Sequence, residues 1–385
     1  DAAKQRKQYI VTTLQKYRIF SIIRRRTKKE IVIMRWKDDL LKCNKRFRSL
    51  SKARMKAASI VCLLLVVVGF FFVYFHPYRS NNLLFVCYEG SRPFFNAVKQ
   101  IDAGEESSYL FAGSLQQTKA LAEGLRADAV CLSSKQELDS LAQKNHLLSE
   151  DWDQRLPFNA SPFYSCIVFV ANPSVAENIR DWEDLLTKDI KVSMPDPATS
   201  GAGRYAYLSL IYASQKDQIS TEMRADWRKF FISLDLIPLS APRAFSRFTI
   251  ERKSDVFITW KSEAIRIRKG HKNYEIIYPS FSIKGEPVIA ALDKYASERG
   301  TEDKAHKRLV SFFSPEKQKL AADLGFRPRI KSPDMELSQL FPPIELISIE
   351  EAFGSWGTVW EQHLGPKGSL VELISIKKAL HGGEE

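Results

Sequence analysis

Ala57–Phe75 reads AASIVCLLLVVVGFFFVYF, nineteen residues without a charge. About 20 apolar residues span a bilayer core as a helix. The apolar character is continuous, which argues against a helix lying on a membrane surface. Residues 1–56 carry 19 Lys and Arg against 4 Asp and Glu. No such excess follows the segment, since the remaining 329 residues hold 39 basic and 41 acidic side chains. The positive-inside rule therefore keeps the arm cytoplasmic and exports everything after the span. Tyr74, His76 and Tyr78 suit the membrane–water interface at its far end. The segment is longer than a signal-peptide core and its flank HPYRSNN lacks an A-x-A-like cleavage site, which favours an uncleaved anchor over a cleaved signal. Asp1 is not Met, and Met34 and Met55 are both plausible starts.

The same charge distribution decides what the overall +13 means. The basic pI belongs to the arm, and the body is close to neutral. The tract Arg24-Arg25-Arg26-Thr27-Lys28-Lys29 suits anionic headgroups or a topology signal. No nucleic-acid motif or aromatic platform accompanies it, so no nucleic-acid partner is expected. The body is long enough to bury a large core without disulfides. Cys87, Cys131 and Cys166 sit in apolar runs that read as buried strands, with no CxxC and no metal spacing, and predict core thiols, no disulfide framework and no metal.

From Asn82 onward strands and helices alternate. Leu83–Tyr88, Tyr109–Phe111, Ala127–Leu132, Cys166–Ala171, Ile190–Met194, Val256–Trp260 and Tyr274–Tyr278 read as strands. Pro93–Gln100, Leu115–Leu125, Asp181–Leu186, Gly201–Ser214, Lys304–Phe313 and Glu316–Leu324 read as helices. This alternation predicts α/β layers with mixed, mostly parallel sheets, and the length predicts two lobes.

Three strand-to-helix turns share a composition: Glu89-Gly90-Ser91-Arg92, Ala112-Gly113-Ser114 and Thr199-Ser200-Gly201-Ala202-Gly203. A helix start offers unpaired N–H groups and the positive end of the helix dipole, an anion site without a charged side chain. Ser114 and Ser200 read as N-caps whose hydroxyls can also donate to a ligand. One such turn usually only caps a helix; three in one body suggest more. The chain lacks G-x-S-x-G, Walker A, H-E-x-x-H and dinucleotide glycine motifs, so neither an enzyme nor a cofactor is expected.

Several segments carry a resemblance, in order along the chain. They are FVCYEGSR, AGSLQQTKALAEGLRADAVCL, SPFYSCIVFV with DWEDLL, PDPATSGAGRYAYL, SDVFITWKSEA, and FPPIELISIEEAFGSWGTVWEQHL. From about Leu84 to about Lys378 the body resembles the sulfate-binding proteins of bacterial ABC importers, of the type II periplasmic-binding-protein fold. The resemblance implies a monomeric receptor that closes two lobes around sulfate or thiosulfate and delivers it to an ABC permease and its ATPase. It implies lobe 1 at 82–160 plus 262–330, lobe 2 at 161–261, a C-terminal wrap at 331–378 and a tail at 379–385. The chain would cross between lobes near 158–165 and near 260–265.

The implied ligand contacts are the N–H of Glu89, Ser114, Ser200, the N–H groups of Gly201 and Ala202, and the indole of Trp260. One more donor falls in the loop Leu239–Arg243, at Ala241 or at Pro242, and proline has no N–H to give. Arg204 and Arg243 would brace the loops. Departures from the family stand at Ala112, Leu115 and Ala202, where it has Gly, and at Glu89, where it has Asp. Such a donor-only set suits a dianion that carries no proton. The rival readings are a receptor for phosphate, molybdate or a sulfonate, a membrane-anchored sensor, and an interaction protein with a degenerate site.

Overall fold

The computed structural model describes residues 82–381, except 103, 105–106, 188, 216–220, 238–240 and 332–336. The arm, the apolar segment Ala57–Phe75 and residues 382–385 lie outside the described residues. Among the described residues no helix is long and apolar enough to cross a membrane. Ser80–Glu385 forms one compact unit.

Two sheets organise that unit. The first has four strands in the order Val288–Ala291, Ala129–Leu132, Leu83–Tyr88, Ser107–Ala112. Leu83–Tyr88 lies parallel to both of its neighbours, with Cys87 level with Cys131 and Phe111. Both faces of this strand are covered, so its apolar run is continuous and Phe85, Val86 and Cys87 are fully buried. The helices Arg92–Ile101, Glu302–Ser311 and Pro315–Asp323 supply much of the cover. Phe94, Phe95, Phe163 and Phe312 form an aromatic knot there, with ring centroids as close as 4.9 Å.

The second sheet has five strands: Asp235–Ile237, Val192–Pro195, Val256–Trp260, Ile167–Ala171, Glu275–Ile277. The first three are parallel; Ile167–Ala171 is antiparallel to both its neighbours. The long helix Gly201–Gln215 is buried over almost its whole length against this sheet.

Each sheet thus mixes parallel strands with an antiparallel one. The antiparallel strand in each follows a crossing from the other lobe, so it enters its sheet from the opposite end. The first crossing between the sheets runs over 161–166. The second does not fall at 260–265. Lys261–Gly270 packs on the strands Val256–Trp260 and Ile167–Ala171, and the strand after it, Glu275–Ile277, completes the second sheet. The chain returns only at 284–287, where Gly285 and Ser165 exchange two backbone hydrogen bonds of 2.8 and 2.9 Å. Lobe 2 therefore extends about twenty residues beyond the expected boundary, because Ile276 and Ile277 belong to its edge strand.

The C-terminal segment joins lobe 2. Glu345–Ile347 runs parallel to Phe281–Ile283, and Ile349, Val359, Leu364, Leu370 and Leu373 enter the second core. Lys261 helps to pin it. Its fully buried Nζ donates to the Leu340 carbonyl and lies 3.4 Å from the Phe341 ring centre. Cys87, Cys131 and Cys166 are buried free thiols, as their apolar settings predicted.

Candidate functional site

Four chain turns meet between the two sheets. Lobe 1 contributes Tyr88–Gly90, at the end of its central strand, and Gly113-Ser114, at the start of Ser114–Ala122. Lobe 2 contributes Ser200–Ala202, at the start of Gly201–Gln215, and Trp260, at the end of Val256–Trp260. These residues line a single cavity of about 20 Å³. That is room for a compact ion, not for a sugar. Six of the expected ligand residues, Glu89, Ser114, Ser200, Gly201, Ala202 and Trp260, are brought together in it.

The groups facing the cavity are chiefly donors. The first N–H groups of a helix have no intrahelical acceptor, and Ser114, Gly201 and Ala202 all occupy such positions. Ser200 stands one residue before its helix, and its carbonyl accepts the N–H of Arg204 at 3.0 Å. Its hydroxyl has no partner among the described residues. The indole N–H of Trp260 likewise has none, although the ring is 4% exposed and packs at 5.0 Å on Tyr205.

Two expectations need correction. Gly113, not Ser114, is the cap residue of Ser114–Ala122. The Ser114 hydroxyl is also committed elsewhere: it donates to Glu137 at 2.7 Å and accepts the N–H of Ser133 at 2.9 Å. A buried carboxylate is a stronger acceptor than an uncharged group, so Ser114 keeps only its N–H for the cavity. Ala241, Pro242 and Arg243 also lie in no loop, for a helix runs from Ala241 to Glu251. Ala241, Pro242 and Arg243 form its first turn, where proline is tolerated because the missing N–H lacks an intrahelical acceptor anyway. This helix packs against Glu89–Ser91 and the strand Val256–Trp260.

The substitutions at Ala202 and Glu89 are accommodated. The Ala202 methyl is buried in the lobe 2 core. The Glu89 carboxylate is gripped by Arg92 through bonds of 2.6 and 2.9 Å, so each of its oxygens already accepts one charge-assisted bond.

Behind the cavity lies a polar cluster that the sequence reading passed over. Glu137, 1% exposed, accepts from the hydroxyls of Ser114, Ser133 and Ser134. Its other oxygen accepts from Arg204 of lobe 2 at 3.3 Å. Burial lowers the pKa of Arg204, and the Glu137 carboxylate opposes that shift. The signal for Glu137 was present as the capping box Ser134-x-x-Glu137, which the structure contains. The lobes also approach closely at two glycines. A Cβ on Gly201 would stand 2.5 Å from Ser133 Oγ, and one on Gly113 would stand 2.7 Å from the Thr199 carbonyl oxygen. Both approaches require glycine.

The family described as "Bacterial extracellular solute-binding protein" matches residues 97–327. The chain is 30% identical over 293 residues to a thiosulfate-binding protein of Pseudomonas aeruginosa, covering 75% of this chain and 88% of that one. It is 29% identical over 267 residues to a sulfate-binding protein of Escherichia coli, covering 68% and 80%. Among solved structures, the sulfate-binding protein SubI from Mycobacterium tuberculosis matches with a TM-score of 0.63 at 26% identity, over 73% of this chain and 98% of that one.

Proposed function

The chain belongs to the bacterial extracellular solute-binding proteins, and from that membership we propose that it captures sulfate or thiosulfate between its lobes and delivers it to an ABC importer. One observation carries the ligand class. The cavity gathers N–H donors from both lobes and the hydroxyl of Ser200, while the one carboxylate on its wall, Glu89, is held by Arg92. A fully ionised tetrahedral dianion needs only donors, whereas hydrogen phosphate also needs an acceptor for its proton. The size of the cavity supports a compact ion over an organic ligand.

The proposed contacts are the N–H groups of Glu89, Ser114, Gly201 and Ala202, the Ser200 residue and the Trp260 indole. The start of Ala241–Glu251 adds a further donor, at Ala241, because Pro242 has no N–H. Arg204 braces the helix start through Glu137, and Arg243 is assigned the same kind of role on its own helix. The protein acts as a monomeric receptor without enzymatic activity, on the outer face of the cytoplasmic membrane. Ala57–Phe75 holds it near an ABC permease and its ATPase and so raises its local concentration there.

Calorimetry with sulfate, thiosulfate, phosphate and molybdate tests this reading, with Trp260→Ala alongside. Sulfate or thiosulfate should bind tightly to the parent chain and much more weakly to the variant. A well-folded chain that binds none of the four would overturn it.

A further inference from the structure

A second, larger cavity of about 200 Å³ opens on the other side of Tyr205. Its walls come from every part that lobe closure brings together. Lys135 comes from lobe 1 and Tyr205 from lobe 2. Ser161 and Lys284 come from the two crossings, Asn159 from the turn just before the first, and Glu350 and Trp356 from the C-terminal segment. The lining holds two lysines, Lys135 and Lys284, against two glutamates, Glu286 and Glu350, so its formal charge balances.

Several of these groups have bonding capacity to spare. The Glu350 carboxylate, the Asn159 amide and the Trp356 indole N–H have no hydrogen-bond partner among the described residues. Lys284 is engaged by Glu286 at 2.8 Å, which leaves two of its three donors. A ligand here can offer an ammonium to Glu350 and a carboxylate to Lys284 and the indole. Lys135 is already paired with Asp139 and Asp153 and Glu286 with Lys284 and Arg329, so a dianion would meet Glu350 unfavourably and a dication would meet Lys284. The volume is below that of sites for drug-sized ligands, which suits a molecule of a few heavy atoms.

The backbone on this wall supplies a second, independent observation. Phe158, Asn159 and Ala160 are all left-handed, at φ of 54°, 53° and 59°. None is glycine, and each such residue costs about 1–2 kcal/mol. Strain of this kind persists where a ligand clamp or a switch uses it. The run lies immediately before the first crossing between the lobes.

We propose that this cavity is a second binding site, for an amino-acid-sized zwitterion, whose occupant favours the closed arrangement of the lobes. Tyr205 forms part of its wall, and the same ring packs on Trp260 in the anion cavity, while Trp356 packs on Tyr205 at 5.9 Å. A molecule touching both lobes, both crossings and the C-terminal segment makes its full set of contacts only when the lobes are closed. By linkage it raises oxyanion affinity, and an oxyanion raises its own. The coupling, but not the site, rests on the proposed anion function.

The test uses the full chain in mild detergent, with the protein amino acids as probes and succinate and putrescine as dianion and dication controls. At least one amino acid should raise the melting temperature and bind one to one by calorimetry, with both controls inert. Glu350→Gln combined with Lys284→Met should weaken that binding about tenfold or more. With the amino acid present, sulfate affinity should rise about fivefold or more. Failure of every amino acid to bind folded protein, or binding that survives Glu350→Gln with Lys284→Met, overturns the site. Equal binding of succinate or putrescine overturns the ligand class. An amino acid that binds while sulfate affinity stays unchanged, or while no oxyanion binds at all, overturns the coupling.

Discussion

Arg204 of the second lobe reaches Glu137 of the first across 3.3 Å, and both side chains are almost wholly buried. A buried ion pair broken on one side leaves an uncompensated charge, a loss of about 3–5 kcal/mol. Here that loss falls on the closed form, because the two partners belong to different lobes. Glu137→Ala should therefore weaken oxyanion binding at least tenfold and lower the melting temperature. Replacing both partners, with Glu137→Gln and Arg204→Met, should recover part of both. Calorimetry and melting curves on the single and double variants check this; equal losses in the single and double variants would argue against a cross-lobe pair.

Trp260 offers a cleaner separation of binding from folding. Trp260→Phe keeps an aromatic ring against Tyr205 and removes the indole N–H. One lost donor to a buried anion costs about 1–3 kcal/mol, so affinity should fall about five- to 150-fold. The melting temperature without ligand should change little. An unchanged dissociation constant would remove Trp260 from the contacts.

Closure itself can be blocked at a single atom. Gly201→Ala places a methyl 2.5 Å from Ser133 Oγ, closer than real contacts allow. The variant should fold, stay open and bind oxyanions poorly. Small-angle X-ray scattering should show no compaction on adding sulfate, where the parent chain compacts.

Lys261 predicts a pH dependence. Burial lowers its pKa from 10.5 to about 7; the nearby Cys166 opposes this and the positive charge of Arg327 adds to it. Below pH 7 the folded and unfolded chains both carry the charge, and folding bears the full cost of burying it. Above pH 7 the folded chain sheds the proton while the unfolded chain keeps it. The contribution of Lys261 to stability therefore rises with pH between about 7 and 10.5, by up to about 1.4 kcal/mol per pH unit. Lys261→Met should remove that rise and should stabilise most at low pH. Urea titrations on both sides of pH 7 read the difference; parallel pH profiles for parent and variant would contradict it.

Much of the fold was legible because strand and helix periods are local. Leu83–Tyr88 and Val256–Trp260 have the predicted bounds, and the helix from Gly201 starts where its Ser-Gly-Ala turn placed it. What escaped is long-range. Whether Glu275–Ile277 belongs to lobe 1 or lobe 2 depends on a partner strand a hundred residues away, and no spacing encodes that. The helix from Ala241 was hidden by Ala-Pro-Arg, which reads equally well as a turn. In the cavity, helix starts and Trp260 could be found from turn composition and family resemblance. The fate of the Ser114 hydroxyl could not, because it is decided by Glu137 on a different helix. Glu137 itself announced only a cap; its second oxygen acquires a partner only when the lobes meet.

Cys87 and Cys131 lie level on adjacent strands of the first sheet, unoxidised and beyond the reach of solvent. Burial pushes both thiols well above their ordinary range. The thiolate is the form that reacts with disulfides and oxidants, so the finished lobe is chemically quiet. The unfolded chain has no such protection. If it is exported unfolded into an oxidising compartment, the interval between translocation and closure of this sheet is when its cysteines are open to the wrong chemistry. Fast consolidation of lobe 1 then protects the protein as much as it stabilises it.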